Sequence, residues 1–553
     1  MRVLTTLALA GMAQSLVACC PKPVAKPTTP VAVEPPTPTP TKPEEPPMPP
    51  PPPPVPTQSA APQELVFPEE AFRATQPPPT AERPFRLPKV QTLKLKNGIT
   101  AYLVESHTLP IVSFDLALTG GSIAEPAGKE GLASVCMSLV GEGTEKLDKI
   151  AYSEALADLA SSVSTYASDD IQGVGASTLS KHLDETFALF ADTVRTPGLR
   201  AEDLDRLIKR RVEGVKQQKG APSSVAGRVS GPVLYGPGHR YGRPVTEASL
   251  SAITLDDCKQ WHAHWVKPRG ANLFVVGDMT AAQLRERFDG PALAGFAGAP
   301  PAAPTLPAPK ALPGRIFLVH TPGAAQSVVS MLEFGPRRTA PDFLATQIMA
   351  SVLGGGFASR LNMNLREDKG YSYGAGGGFS YDRQRSVLRA TASVRTDASY
   401  QSLLEIEKEL RALASGKAPT TAEELDREKQ GAILGLPARF ATGSAALGNY
   451  RSLVYFGLPL DYFDSFIAKV KQVGQKQVTA AAKQHIDLGK AVYVVVGDGD
   501  APVIVNTGKN QNEPYLIDGK PATLRQALAK LAADGTLGTG GLVTLDTDGA
   551  IIP

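Results

Sequence analysis

Residues 271–278 read ANLFVVGD and residues 491–498 read AVYVVVGD. Each is a short run of β-branched and aromatic side chains stopped by Gly-Asp, the pattern of a buried strand. Each follows a helical pattern, over 255–266 (LDDCKQWHAHWV) in the first case and 474–486 in the second. The same helix–strand–Gly-Asp cadence occurring twice points to an internal duplication. Working outward, the first unit opens with a hairpin over 91–105 (QTLKLKNGITAYLVE), turned at Asn97-Gly98. A strand over 110–119 and a helix beginning at Leu132 follow. The second unit replays this with strands over 314–320 and 325–334 and a helix over 341–353. A Pro/Ala linker, 299–313, separates unit 1 (85–298) from unit 2 (314–500). The expected fold class is α+β. Residues 501–553 read as a small extension with one amphipathic helix, 522–533, that caps the second unit or touches a partner.

The chain has 553 residues, 20% of them charged, with a formal net charge of +3. That balance lacks the concentrated basic footprint of a nucleic-acid binder, so no nucleic-acid partner is expected. Of its 50 prolines, 24 lie between Pro21 and Pro84. Proline fixes φ and removes a donor, so 19–84 reads as a disordered tether rather than a folded segment. Four cysteines in so long a chain exclude a scaffold built on disulfides. Residues 1–18 carry a short positive start and an apolar stretch too short to span a bilayer, which reads as a signal peptide. Leu16-Val17-Ala18-Cys19 resembles the bacterial lipobox, which implies acylation of Cys19 and attachment to a membrane through lipid. With Cys20 and no Asp following, lipoprotein sorting by analogy favours the outer membrane, facing the periplasm.

Two stretches carry a family resemblance. Gly121-Ser122, the run from Glu125 to Ala133 (EPAGKEGLA) and Gly143-Thr144 are similar to the approach to the active site of insulinase/pitrilysin-type zinc peptidases. Leu353–Leu361 (LGGGFASRL) and Leu365–Tyr373 (LREDKGYSY) resemble the second signature of that family, and the likeness spans about 88–500. It implies two homologous units, each an antiparallel sheet packed against helices.

The family's metal motif is His-x-x-Glu-His. Two histidines four apart share one helix face and one zinc ion, and the Glu deprotonates the metal-bound water. Here the five positions are Ser134, Val135, Cys136, Met137 and Ser138. Hydroxyls replace both imidazoles and a thioether replaces the base. The third ligand position falls near Glu213 or Gly214. No metal is expected in this chain, and the resemblance places zinc in a partner subunit. Cys136 reads as a small buried cysteine. Cys258 and His262, four apart, read as an ordinary helix face rather than a metal site, and His239 as structural. No Gly-x-Ser-x-Gly elbow, phosphate loop or paired carboxylates occur.

Arg366 falls in the last turn of a helix that ends near Lys369, with Gly370 as its cap. Tyr373 begins the next strand. The resemblance gives this Arg–Tyr pair the task of holding the substrate backbone and stabilising an oxyanion across the chamber. Gly374, Gly376 and Gly377, within GAGGG, strip side chains from this strand, which reads either as room for an extended peptide to approach or as a weak edge. The reading is a non-catalytic subunit of a periplasmic insulinase-type zinc peptidase that lends Arg366 and Tyr373 to a zinc-bearing partner. The alternative is a peptide-binding or structural envelope lipoprotein without proteolytic activity.

Overall fold

The computed structural model describes residues 87–506 and 512–553, together with Thr75. Cys19, the leader and the tether lie outside the described residues. The first half supplies β1 (Gln91–Lys94), β2 (Thr100–Glu105), β3 (Ile111–Thr119), β4 (Ser162–Ala167), β5 (Ile171–Leu179) and β6 (Asn272–Gly277). They pair in the order β1-β2-β6-β3-β5-β4. The expected hairpin forms, and Gly98 takes φ 90° at its turn, a conformation that favours glycine. The second half supplies β7 (Ile316–His320), β8 (Gln326–Gly335), β9 (Ser372–Tyr381), β10 (Ser386–Arg395) and β11 (Val492–Gly497). The extension adds two short hairpins, β12 (Ile504–Asn506) with β13 (Asn512–Pro514) and β14 (Leu516–Ile517) with β15 (Lys520–Pro521), and then β16 (Leu542–Leu545). The second large sheet runs β16-β7-β11-β8-β10-β9.

The two sheets are counterparts over five of their six strands, which is the duplication expected from the sequence. In each, the Gly-Asp-terminated strand is interior, and β11 is buried along its whole length. This is why both runs are rich in valine and phenylalanine or tyrosine. The sheets are antiparallel from that strand to the far edge and parallel on its other side, at β2–β6 and β7–β11. A long crossover separates these partners in sequence, so no hairpin dictates their direction. The two sheets acquire their sixth strand differently. In the first, β1 comes from the opening hairpin. In the second, β16 returns from the C-terminus and runs parallel to β7. Buried Arg315 fastens this return by donating to the carbonyls of Leu537, Leu488 and Gly489. The helix Leu524–Ala533 buries Leu524, Leu528 and Leu531 in the second core. The extension therefore completes the second unit.

Both halves belong to one compact unit, Arg83–Pro553. Each lends a helix to the other's sheet. The first half's helix Pro222–Tyr235 packs Val225, Val229 and Val233 on Val328, Val494 and Val496. The second half's helix Gly443–Tyr455 packs Ala446, Tyr450 and Leu453 on Val104, Phe274 and Val276. The linker, without regular structure over 301–312, runs beside the first of these helices, where Leu312 N–H donates to Val233 O at 3.0 Å.

Candidate functional site

The helix Leu132–Val140 carries the degenerate motif, and its entry explains the EPAGKEGLA run. Gly131 caps it at φ 101°. Glu125 is buried, accepts from Gly131 N–H at 3.0 Å and Ala133 N–H at 2.9 Å, and pairs with Arg240. A carboxylate at a helix N-terminus satisfies orphan donors and complements the dipole. Arg240 also donates to Ser122 O at 2.6 Å. His239, fully enclosed, accepts from Tyr241 N–H at 3.1 Å, which is the structural task expected of it. The family-like residues around the motif thus still build the frame.

Inside that frame the metal positions are filled differently. Ser134 and Ser138 lie one turn apart on the half-exposed side of the helix, while Met137 is fully buried in the first core. Facing them is the helix Ala201–Lys219. Arg211 on it donates from Nη1 to Ser134 Oγ at 2.8 Å and from Nη2 to Ser138 Oγ at 2.9 Å. A guanidinium therefore spans the two hydroxyls that replace the histidines. Both candidates for the third ligand position lie on this same helix. Gly214 lines the cavity beside Ser134, whereas Glu213 is exposed and bonded to Lys216 at 2.7 Å. Two hydroxyls, a thioether, a glycine and a cation make no zinc site: none of the residues at the family's metal positions is an anionic or imidazole donor, and the resident charge repels a metal ion. Burial, and then the neighbouring charge of Arg210, hold the Arg211 guanidinium below its ordinary value.

The cysteine readings need one correction. Cys136 is buried, as expected, and so is Cys258, expected only to lie on an ordinary helix face; the two are joined in a disulfide across 122 residues, with Cα atoms 4.9 Å apart. The bond ties the motif helix to the helix Leu255–Trp265. Sequence spacing carries no signal for such a long-range pair. Two cysteines on apolar helix faces, in a chain whose first residues are expected to be a signal peptide, were the available hint. His262 has no thiol partner, and its Nε2 faces Val194 O at 2.8 Å.

The second-half signature forms a separate surface. The helix from Arg360 widens into π-helical turns over Met363–Asp368, a distortion often found at functional sites. Gly370 takes φ 62° beyond it. Arg366 stacks over the exposed Phe357 ring at 4.9 Å and pairs with Glu367 at 3.2 Å. Buried Asn362 accepts from Ala375 N–H at 3.2 Å, tying this helix to β9. The register between β9 and β10 shifts so that Tyr373 and Gly374 together oppose Ser393. That bulge re-aims a side chain, and Tyr373 is 86% exposed. Neither Arg366 nor Tyr373 lines the cavity at Ser134. The glycines have a packing role as well: a Cβ on Gly354 would lie 2.1 Å from Gly377 N, and one on Gly377 2.8 Å from Arg389 O. Gly374 and Gly376 line a shallow cleft on the edge strand.

Residues 101–230 match the profile described as insulinase (peptidase family M16), and residues 252–432 match that of the peptidase M16 inactive domain. Among curated relatives, the non-peptidase homolog YmxG of Helicobacter pylori is 20% identical over 404 residues, covering 71% of this chain and 90% of that protein. The zinc protease PqqE of the same organism is 24% identical over 361 residues, covering 62% and 78%. Among solved structures, a peptidase M16 inactive domain from Pseudomonas fluorescens superposes with TM-score 0.68 at 25% identity, covering 74% of this chain and 98% of that one. The periplasmic protease PqqL from Escherichia coli shares the fold at TM-score 0.63 and 15% identity, over 76% of this chain and 46% of that one.

Proposed function

The chain belongs to the insulinase family, peptidase family M16, as a member whose metal positions are replaced, and on that premise we propose that it is the non-catalytic subunit of a zinc-bearing family partner. Its contribution is the surface of Phe357, Arg366 and Tyr373, which supplies donors to extended peptide substrates held by the partner. The observation that carries this reading is Tyr373. A large aromatic side chain 86% exposed, set by a bulge on an edge strand, has no hydrogen-bond partner within the described chain. Exposed aromatic and Arg side chains on a ridge are characteristic of surfaces that another molecule covers. Phenol and guanidinium are both donors, and two such donors aimed at a developing oxyanion lower the barrier to amide hydrolysis.

The same reading places the protein in the bacterial envelope, anchored through acylated Cys19 at the outer membrane. The lipobox-like Leu16–Cys19 supports it, and so does the buried Cys136–Cys258 bond, a type of cross-link that persists in oxidising compartments. Among the described residues no helix is long and apolar enough to cross a membrane.

The test is reconstitution. The protein is purified with whatever family member co-purifies, and peptide hydrolysis is measured with native chain, Arg366→Ala or Tyr373→Phe. Loss of one oxyanion donor typically costs a factor of ~100 or more in turnover. The expected result is such a loss with assembly of the pair unchanged. Equal activity from all three forms refutes the role given to these side chains.

A further inference from the structure

A cavity of about 670 Å³ opens beside Ser134, between the motif helix and the loop that carries Arg240 and Arg243. Its volume is that of a ligand site. Five arginines line it, Arg210, Arg211, Arg228, Arg240 and Arg243. Three are committed to carboxylates of the chain: Arg240 to Glu125, Arg228 to Asp548, and Arg243 to Glu130 at 2.8 Å. Among the described residues Arg210 and Arg211 have none. Arg211 is bonded there only to two neutral hydroxyls, which leaves a half-buried cation without a counter-ion among the described residues. Isolated charge in a partly dry site is costly, and an anion that enters relieves it. The serines add to this. Each Oγ accepts from Arg211, so each O–H proton remains free to donate to the same anion. The opposite wall is apolar, with Val245 and Leu250, and suits an aliphatic side chain. Asp169 and Asp382 also line the cavity, and they disfavour a dianion more than a monoanion.

We infer that the former metal site has become a pocket for the carboxylate of a peptide, with Arg211, Ser134 and Ser138 as its anion cradle. The ligand class is a monoanionic carboxylate on an otherwise apolar peptide end, either a C-terminus or an acidic side chain. No bond is made or broken there. The inference goes beyond the subunit role and is independent of it, because that role rests on Arg366 and Tyr373 and this one on Arg211, Ser134 and Ser138.

The test is titration of the purified full chain, followed by calorimetry, with three probes. One is a short N-acetylated alanine–leucine peptide with a free C-terminal carboxylate. The second is its C-terminal amide carrying one internal Glu, and the third is the fully uncharged amide. Inorganic phosphate serves as the competing anion. The free acid is expected to bind at least ~10-fold more tightly than the uncharged amide, the worth of a single charge-assisted contact. The Glu-bearing amide tells the two sources of carboxylate apart: binding as tight as the free acid assigns a side chain, and weaker binding a C-terminus. Arg211→Met is expected to erase the acid preference, and Arg211→Lys to keep part of it. Because Arg211→Met removes a packed side chain, Ser134→Ala supplies a second variant of nearly unchanged volume, expected to weaken the acid selectively. Equal binding of all three probes, no saturable binding of either carboxylate-bearing probe, or phosphate binding more tightly than both of them each overturns the inference.

Discussion

Arg211 and Ser134 are separated by 77 residues, yet the guanidinium of one donates to the hydroxyl of the other at 2.8 Å. The replacement at this site is therefore a compensated set: where imidazoles would converge on a cation, hydroxyls now converge on one that is covalently attached. Restoring the ligands alone is not enough. Two unit charges 4 Å apart repel by about 4 kcal/mol at an effective dielectric of ~20, and a divalent ion doubles that. The combined variant Ser134→His, Met137→Glu, Ser138→His, Gly214→Glu is expected to hold no stoichiometric zinc while Arg211 remains. Adding Arg211→Ala is expected to bring about one zinc per chain, measured by atomic emission after dialysis. A Cβ on Gly214 meets nothing within 4 Å, so that position accepts a side chain. Met137 is fully buried, so the melting temperature is expected to fall as well.

The pattern of the fold was open to sequence reading where periodicity is strong. The two Gly-Asp strands, the Asn97-Gly98 hairpin and the helix from Leu132 all form where spacing placed them. What escaped depends on contacts across long stretches of chain. The Cys136–Cys258 bond spans 122 residues, and Arg211 finds its serines from another helix. The parallel placement of β16 beside β7 leaves no local trace either, since a returning strand carries no turn signal of its own. At the second signature the Arg366–Tyr373 spacing was visible. The bulge that turns Tyr373 outward was not, because a register shift depends on the partner strand.

The buried disulfide should act as a staple on the first half. Closing a loop of this length restricts the unfolded chain by about 5 kcal/mol in the loop-entropy account. Cys136→Ala/Cys258→Ala is expected to lower the unfolding free energy by about that amount, read as a lowered urea midpoint with a steeper slope, because the unfolded chain is no longer cross-linked. An unchanged midpoint would mean that the two sulfurs are not bonded in solution.

The glycine stretch of β9 separates packing from function. Gly354→Ala drives a methyl into the Gly377 backbone and is expected to cost about 3 kcal/mol or more, since helix and strand have no room to part. Gly378→Ala meets nothing within 4 Å and is expected to be neutral or to stabilise by about 0.5 kcal/mol through the unfolded state. Gly374 has only Asn362 Oδ1 near, at 3.9 Å. Gly374→Ala is therefore expected to keep the native melting temperature while weakening peptide or partner binding, measured on the same preparation. A lowered melting temperature instead would assign Gly374 to packing.

Glu333 gives the stability a pH dependence near neutrality. It sits on β8, almost fully enclosed, and both carboxylate oxygens face Asp487 N–H, at 2.9 and 3.1 Å. Burial pushes its carboxyl up to about 7 from an ordinary 4.5, against the pull of that N–H. The folded state thus holds the proton more firmly than the unfolded chain. The resulting stability is complete below the unfolded value and is lost as pH rises through about 7. Each unit of difference corresponds to about 1.4 kcal/mol, which caps the effect near ~3 kcal/mol. Glu333→Gln keeps the shape and removes the titration. The native chain is expected to lose stability between pH 5 and 8 more steeply than Glu333→Gln, by about 2 kcal/mol across that range in urea unfolding. Parallel curves for the two proteins would mean that Glu333 is ionised throughout and that its site is wetter than its burial indicates.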